Sequence, residues 1–430
     1  MKNRQIMTLF ALGFLALSSI AQAVVPAPDG GYPGFNTAEG QNALFSRTTG
    51  VWNTALGAFA LYADTTGNGN TAVGINDLRN NITGGFNTAV GLNALFKNNG
   101  DPTIGQASNN CAFGSNALFN NSTGSNNCAF GSDALYLNTT GLYNTAIGRA
   151  ALFSNIASDN TAVGSYALSF NGDGIQNTAL GSHALVNNSS GNFNTAIGYE
   201  ALLFNGTGST DTAVGVGALL HTNGSNNTAV GYGALTNSTG SNSIALGVNA
   251  GSNVTTASNV ICIGTTGQNV SDSFYVGNVF ETSIDADNLP VRIDFRGRLG
   301  TQTSSRRFKD DITPMDKASE AILALKPVTF HYKDDTLCRP EFGLIAEEVA
   351  EVNPGLVIRD KNGEIYSVRY DAVNAMLLNE FLKEHKTVQE LKSSAAKQEQ
   401  QIRALTSALQ KVSAHIEASS LRPQVAFNDP

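Results

Sequence analysis

The apolar positions of this chain recur with a period too long for one helix turn or one strand pleat. A block Asn-Thr-Ala-Leu-Gly begins at Asn53. Related blocks begin at Asn70, Asn87, Asn110, Asn127, Asn144, Asn160, Asn177, Asn194, Asp211 and Asn227, and weaken into Ser-Ile-Ala-Leu-Gly from Ser243 and Val-Ile-Cys-Ile-Gly from Val260. The steps are 16 or 17 residues, with one of 23 that contains Pro102. From Leu61 to Leu235 a leucine stands eight residues after the start of each block. A fixed period this short predicts a β-solenoid or β-roll, in which no coil can bury its apolar face alone. Thr, Val, Ile and Phe within the block suit a short strand. The glycine that closes it permits a corner, and stretches such as 121–126 (NSTGSN) carry turn formers. Each unit therefore reads as a short strand, a corner, an arm or second strand carrying the leucine, and a turn. Stacked asparagines can form ladders along the axis. The 13 blocks, at about 4.8 Å each, predict a span of roughly 60 Å.

Charge changes the picture after the repeats. Residues 51–265 carry little of it, and Lys, Arg, Asp and Glu gather after Arg292. That shift marks a boundary between two kinds of structure. The net charge of -8, with no basic cluster in the repeats, argues against a nucleic-acid partner. At the N-terminus, Lys2 and Arg4 precede an apolar run from Met7 to Ile20, and Ala21-Gln22-Ala23 supplies a small-x-small cleavage pattern. Residues 1–23 thus read as a signal peptide, since the run is short for a spanning helix. The expectation is an exported protein, at the cell surface, in the periplasm or in the medium, with no transmembrane anchor once the signal is removed. Residues 24–50 read as an N-terminal segment before the repeats.

Four cysteines, Cys111, Cys128, Cys262 and Cys338, show no metal-ligand spacing, and no metal or cofactor is expected. Cys111 and Cys128 hold the same repeat position one period apart. They read either as a disulfide or as two small residues in equivalent interior slots. Asp64, Asp77, Asp101, Asp133, Asp159, Asp173 and Asp211 are scattered without a recurring pair, which speaks against a glycosidase. A sugar-binding role for the uncharged, Asn-rich flank stays open, as does a cell-surface ligand.

The C-terminal third is patterned differently. Residues 266–303 read as a connector with short strands at 273–280 and 291–300. A helix is predicted from Met315 to Leu325, a strand over 326–332, an amphipathic helix within 342–357 stopped by Asn353-Pro354, and a strand entering a helix over 364–373. Val388, Leu391, Ala395, Gln398, Ile402, Leu405, Leu409, Val412 and Ile416 alternate in steps of three and four, a coiled-coil seam over 388–416. Residues 417–430 read as a tail.

Two resemblances follow from these residues. The blocks, most closely 242–264 (NSIALGVNAGSNVTTASNVICIG), resemble the head repeats of trimeric autotransporter adhesins of the YadA kind. That family forms left-handed parallel β-rolls of three chains about one axis, although the 17-residue units here are longer than its usual repeat. The family's C-terminal membrane barrel has no counterpart in this sequence. The run Ser304-Ser305-Arg306-Arg307-Phe308-Lys309-Asp310-Asp311-Ile312, with Gly343, Ile345, Ala346, Glu348, Val349 and Tyr370 further on, resembles the intramolecular chaperone at the end of phage endosialidase tailspikes. The same domain occurs in other phage tail fibres and in myelin regulatory factor. Ser305 stands where that family usually has Asp. The resemblance implies an α+β chaperone domain over 304–387, a homotrimer, and self-cleavage by a Ser/Lys dyad. Ser304 would be the nucleophile and Lys309 the general base, with Glu348 and Arg307 as supporting residues. The whole is expected to be mainly β: a trimeric repeat head, then the chaperone domain and a trimeric coiled coil. The competing expectation is a structural adhesin whose C-terminal domain trimerises and stays attached.

Overall fold

The computed structural model describes residues 32–100, 106–280, 282–284, 288–294, 296–333, 335 and 337–420. The stretch read as a signal peptide, 1–23, and the end of the tail, 421–430, lie outside these residues. The chain divides into two compact units, Met1–Ser283 and Ile284–Pro430.

The first unit is a β-solenoid. Its blocks form one parallel 15-stranded sheet in which each rung pairs with the next in strict register. The alternation within a rung follows from the pleat. In Thr71–Ile75 and Thr145–Ile147 the Ala points inward and is fully buried, while the residues on either side face out. The ladder runs from Thr37–Glu39 to Phe274–Val276, one rung further at each end than the block pattern indicates. The first extra rung has Glu39 at the usual apolar position, and the last has Tyr275 where Ala is usual, so neither carries the full block pattern. Fifteen rungs at about 4.8 Å each span roughly 67 Å.

The leucines do not lie on a second strand. Leu61 through Leu235 sit in turns with left-handed backbone, φ between 49° and 53°, and all are fully buried. That conformation costs a residue with a Cβ about 1–2 kcal/mol, and burying a whole leucine side chain, worth about 1.5–3 kcal/mol, offsets it. Among the described residues, two-residue strands add two short parallel sheets, one of Ser154–Asn155, Phe170–Asn171 and Asn187–Asn188 and one of Phe204–Asn205 and His221–Thr222. The block glycine is required for two reasons. At Gly164 φ is +139°, and a methyl group there would stand 2.4 Å from the carbonyl oxygen of Gly181 in the next coil.

Two ladders of buried asparagine hold the coils together. In the first, each block Asn accepts from the backbone N–H of its successor. Asn127 Oδ1 takes the Asn144 N–H at 3.0 Å, and Asn127 Nδ2 donates to the Gly141 carbonyl at 2.8 Å. In the second, eleven residues further along each coil, Asn138 Nδ2 donates to Asn121 Oδ1 at 3.0 Å and to the Gly141 carbonyl at 3.2 Å. Most ladder asparagines are fully buried and none is more than 1% exposed, so they cannot be the Asn-rich flank left open for sugars. Outside, Phe96, Phe119, Tyr136 and Phe153 stack at centroid distances of 5.0, 5.3 and 5.2 Å. Their faces cover one another and only their edges are left outward.

Cys111 and Cys128 stand opposite each other in register. They are free and half-buried at the outward Thr position, not in interior slots. Desolvation by burial pushes both thiols up. The interior slot is taken by Cys262, fully buried at the Ala position.

The second unit is α+β. Val291–Ile293 and Leu299–Thr301 form an antiparallel hairpin. The helix expected over 315–325 is a 3-10 helix, Asp316–Ala324. Val328–Phe330 pairs antiparallel with Glu341–Gly343, and Val357–Arg359 with Ile365–Val368. Helix α1 (Ala346–Val352) ends before Asn353, whose side chain accepts from the Gly355 N–H at 2.9 Å. Helix α2 runs unbroken from Tyr370 to Ser420. Val349, Leu356, Val357, Val368 and Met376 make a small core against Met315, Ile322 and Leu325. Beyond it α2 is exposed on all sides, with Leu391, Ile402, Leu405, Leu409 and Ile416 each more than 60% exposed. Among the described residues no helix is long and apolar enough to cross a membrane.

Candidate functional site

The hairpin brings the chain to Ser304, three residues past its second strand. A one-turn 3-10 helix, Arg306–Phe308, then folds it back so that Lys309 faces the serine. Lys309 Nζ donates to Ser304 Oγ at 3.2 Å. The five-residue spacing works because the intervening turn shortens the path: the N–H groups of Phe308 and Lys309 bond to the carbonyls of Ser305 and Arg306 at 3.0 Å each. Both dyad residues line an open cleft of about 290 Å³ with Leu289, Pro290, Arg292, Gln302 and Thr303. Ser304, Ser305 and Lys309 are all exposed.

Residues 304–358 match the family model for the chaperone of endosialidase. The match begins at the serine itself and runs through α1 into the strand that starts at Val357. The chain matches no curated protein and no solved structure. The YadA resemblance of the repeats therefore rests on the blocks alone, while the β-solenoid is seen directly.

The other residues singled out from the sequence are placed as follows. The Arg307 guanidinium lies over its neighbour's ring, 4.6 Å from the Phe308 centroid. Glu348 lines a different hollow, between α1 and Ala324, Leu325 and Lys326. Tyr370 is 46% exposed, not a core residue, and its hydroxyl accepts from the Leu344 N–H at 3.1 Å. Arg292, not singled out beforehand, belongs to the cleft and forms an ion pair with Asp371 at the start of α2. An arginine inside a short strand gives no sequence signal for that role, because its partner lies in another element.

The geometry supports one reaction class. A hydroxyl with an amine at hydrogen-bond distance can deliver its proton as it attacks. The nearest carbonyls are the chain's own.

Proposed function

We propose that the protein is an exported fibre whose C-terminal unit assembles three chains and then cuts itself off beside Ser304. The observation that carries this reading is the Ser304–Lys309 contact at the very start of the stretch that matches the chaperone family. Ser304 Oγ attacks the carbonyl carbon of Thr303. Its proton passes to Lys309, which hands it to the Ser304 nitrogen as the C–N bond breaks and the nitrogen leaves as an amine, so the peptide becomes an ester through Ser304 Oγ. Water then adds to the ester carbonyl, which frees a head ending at Thr303 and a chaperone beginning at Ser304. Attack on a tethered neighbour gains from proximity.

Lys309 has to be neutral to accept the proton, and a lysine loses its charge most readily where water is excluded. In the single chain it stands in solvent. Assembly would supply the missing burial, which ties cutting to completion of the trimer. Cutting would then leave the head without the unit that could disassemble and refold it, a kinetically trapped state.

The repeats carry a matching surface. The third residue of nearly every rung is apolar and outward, forming a stripe through Val90, Phe130, Ile147, Leu180, Val230, Leu246 and Ile263. Leu180 is 46% and Ile147 is 43% exposed. A continuous apolar stripe of this length on a shaft favours a partner. Further copies of the same chain fit best, because the match to an assembly chaperone lies on the same polypeptide and α2 presents a second exposed apolar seam.

The test is electrophoresis and mass spectrometry of the parent beside Ser304→Ala and Lys309→Ala. Two fragments in the parent and one full-length chain in each variant support the reading. A full-length parent would leave a trimeric adhesin with a retained foot.

A further inference from the structure

Both asparagine ladders lose their donor in the coil that begins at Asp211, and again further on, where Ser243 and Val254 hold the two positions; the first of these has an acid in the ladder. The coil that begins at Asp211 has an acid at the first-ladder position, and Thr222 at the second. In the flanking coils Asn194 Nδ2 donates to the Gly208 carbonyl at 2.8 Å, and Asn227 Nδ2 donates to the Gly240 carbonyl at 3.0 Å. Asp211 has no amide to offer the Gly224 carbonyl. One coil back, Asn205 Nδ2 donates to Asn188 Oδ1 at 3.1 Å, but Thr222 has no amide to offer Asn205 Oδ1. Asp211 keeps the other half of the pattern: its Oδ1 accepts the Asn227 N–H at 2.8 Å, and its own N–H donates to Asn194 Oδ1 at 2.9 Å.

Three buried side-chain oxygens are left without a hydrogen-bond partner: Asp211 Oδ2, Asn205 Oδ1 and Thr222 Oγ1. Their residues are 0%, 0% and 2% exposed. Two of these oxygens and the Gly224 carbonyl oxygen converge beside Gly208. A methyl group on Gly208 would stand 2.3 Å from Asn205 Oδ1, 2.3 Å from the Gly224 carbonyl oxygen and 2.7 Å from Asp211 Oδ2. Thr222 sits in register beside Asn205 on the neighbouring strand.

We propose that this coil binds a small monovalent cation of sodium size between Asp211, Asn205, Thr222 and the Gly224 carbonyl. All-oxygen surroundings suit a hard cation. One carboxylate balances one positive charge. With a single carboxylate among the four oxygens, calcium or magnesium would keep an uncompensated charge in a buried place. An unpaired buried carboxylate is costly, and the ion relieves that cost while tying two coils together. Among the described residues no three His, Cys, Asp or Glu side chains are grouped as a transition metal would need. The site lies in the repeats and is independent of the processing proposal.

The test is hydrogen–deuterium exchange of the full chain at pH 8 in sodium chloride against choline chloride at equal concentration. With sodium at ten times its dissociation constant, amides over 205–228 should exchange about tenfold more slowly than in choline. Asp211→Asn restores the residue of the flanking coils, so it should fold and lose the difference between salts. Equal exchange in the two salts, as a buried water or a proton on Asp211 would give, overturns the proposal. So does an ion effect that persists in Asp211→Asn.

Discussion

Asp64 begins the second ladder, and replacing it with asparagine should stabilise the N-terminal coils at neutral pH. Asp64 is fully buried. Its Oδ1 accepts from Asn81 Nδ2 at 2.7 Å, and its Oδ2 has no donor. Burial raises its pKa from 3.8 to about 7, against the opposing pull of the Asn81 hydrogen bond and the Arg47 charge. The native chain therefore holds a proton on Asp64 that the unfolded chain releases near pH 4. The stabilisation that goes with that proton is fully present below the unfolded value. It is lost as pH rises through the folded value. At about 1.4 kcal/mol per pH unit, the rise from 3.8 to about 7 amounts to about 4 kcal/mol lost by pH 8. Asp64→Asn removes the dependence and adds a donor for the Gly67 carbonyl, as Asn81 does for Gly84 at 3.0 Å. The first coils can open without the rest, so the gain appears locally and is capped by that opening. Hydrogen exchange over 50–85 reads it directly. The variant should be better protected than the parent at pH 8 and equal to it at pH 4. Asp77 and Asp211 are also raised, to about 6 and about 7, so the comparison must be between parent and variant at each pH. A variant no better protected at pH 8, or one with the same gain at pH 4, would refute the reasoning.

The other predictions concern packing and assembly. Leu152→Ala empties a fully buried site and should cost about 3–5 kcal/mol, seen as a lower midpoint in urea. Asn138→Ala removes two ladder donations; the Gly141 carbonyl keeps Asn127 Nδ2, but Asn121 Oδ1 is left buried without a donor, and at about 1–3 kcal/mol this should loosen the coils on both sides, read by exchange over 118–158. The double variant Ile147→Asp, Leu180→Asp charges the outward stripe without touching the interior. It should leave a folded single chain by circular dichroism but reduce the mass found by light scattering from three chains to one. An unchanged mass would remove the stripe from the interface.

The repeat was legible because each block encodes its own geometry. Thr-Ala-Val alternation sets the rung, and its glycine cannot carry a Cβ beside the next coil's carbonyl. The leucines were legible as core and misleading as strand, since nothing about leucine signals a left-handed backbone; only the burial of every one makes that turn worth its strain. The second asparagine ladder was present in the sequence as Asn81, Asn98, Asn121, Asn138, Asn155, Asn171, Asn188 and Asn205. It was hidden among the turn formers, where asparagine is expected for a different reason. In the C-terminal unit the resemblance singled out Ser304 and Lys309, and the two side chains meet at 3.2 Å. The Arg292–Asp371 pair was not, because residues far apart in sequence meet only after folding. The separation of Glu348 from the serine cleft was out of reach for the same reason.

Ser304 is proposed to cut the chain at its own N-terminal side after assembly. Intact mass spectrometry of freshly purified protein, run with size-exclusion light scattering, tests it most directly. The account predicts a trimeric head ending at Thr303 and a separate piece running from Ser304 to Pro430, with Ser304→Ala giving an uncut trimer. A parent that is trimeric and stays full length, or a cut that persists in Ser304→Ala, would contradict it.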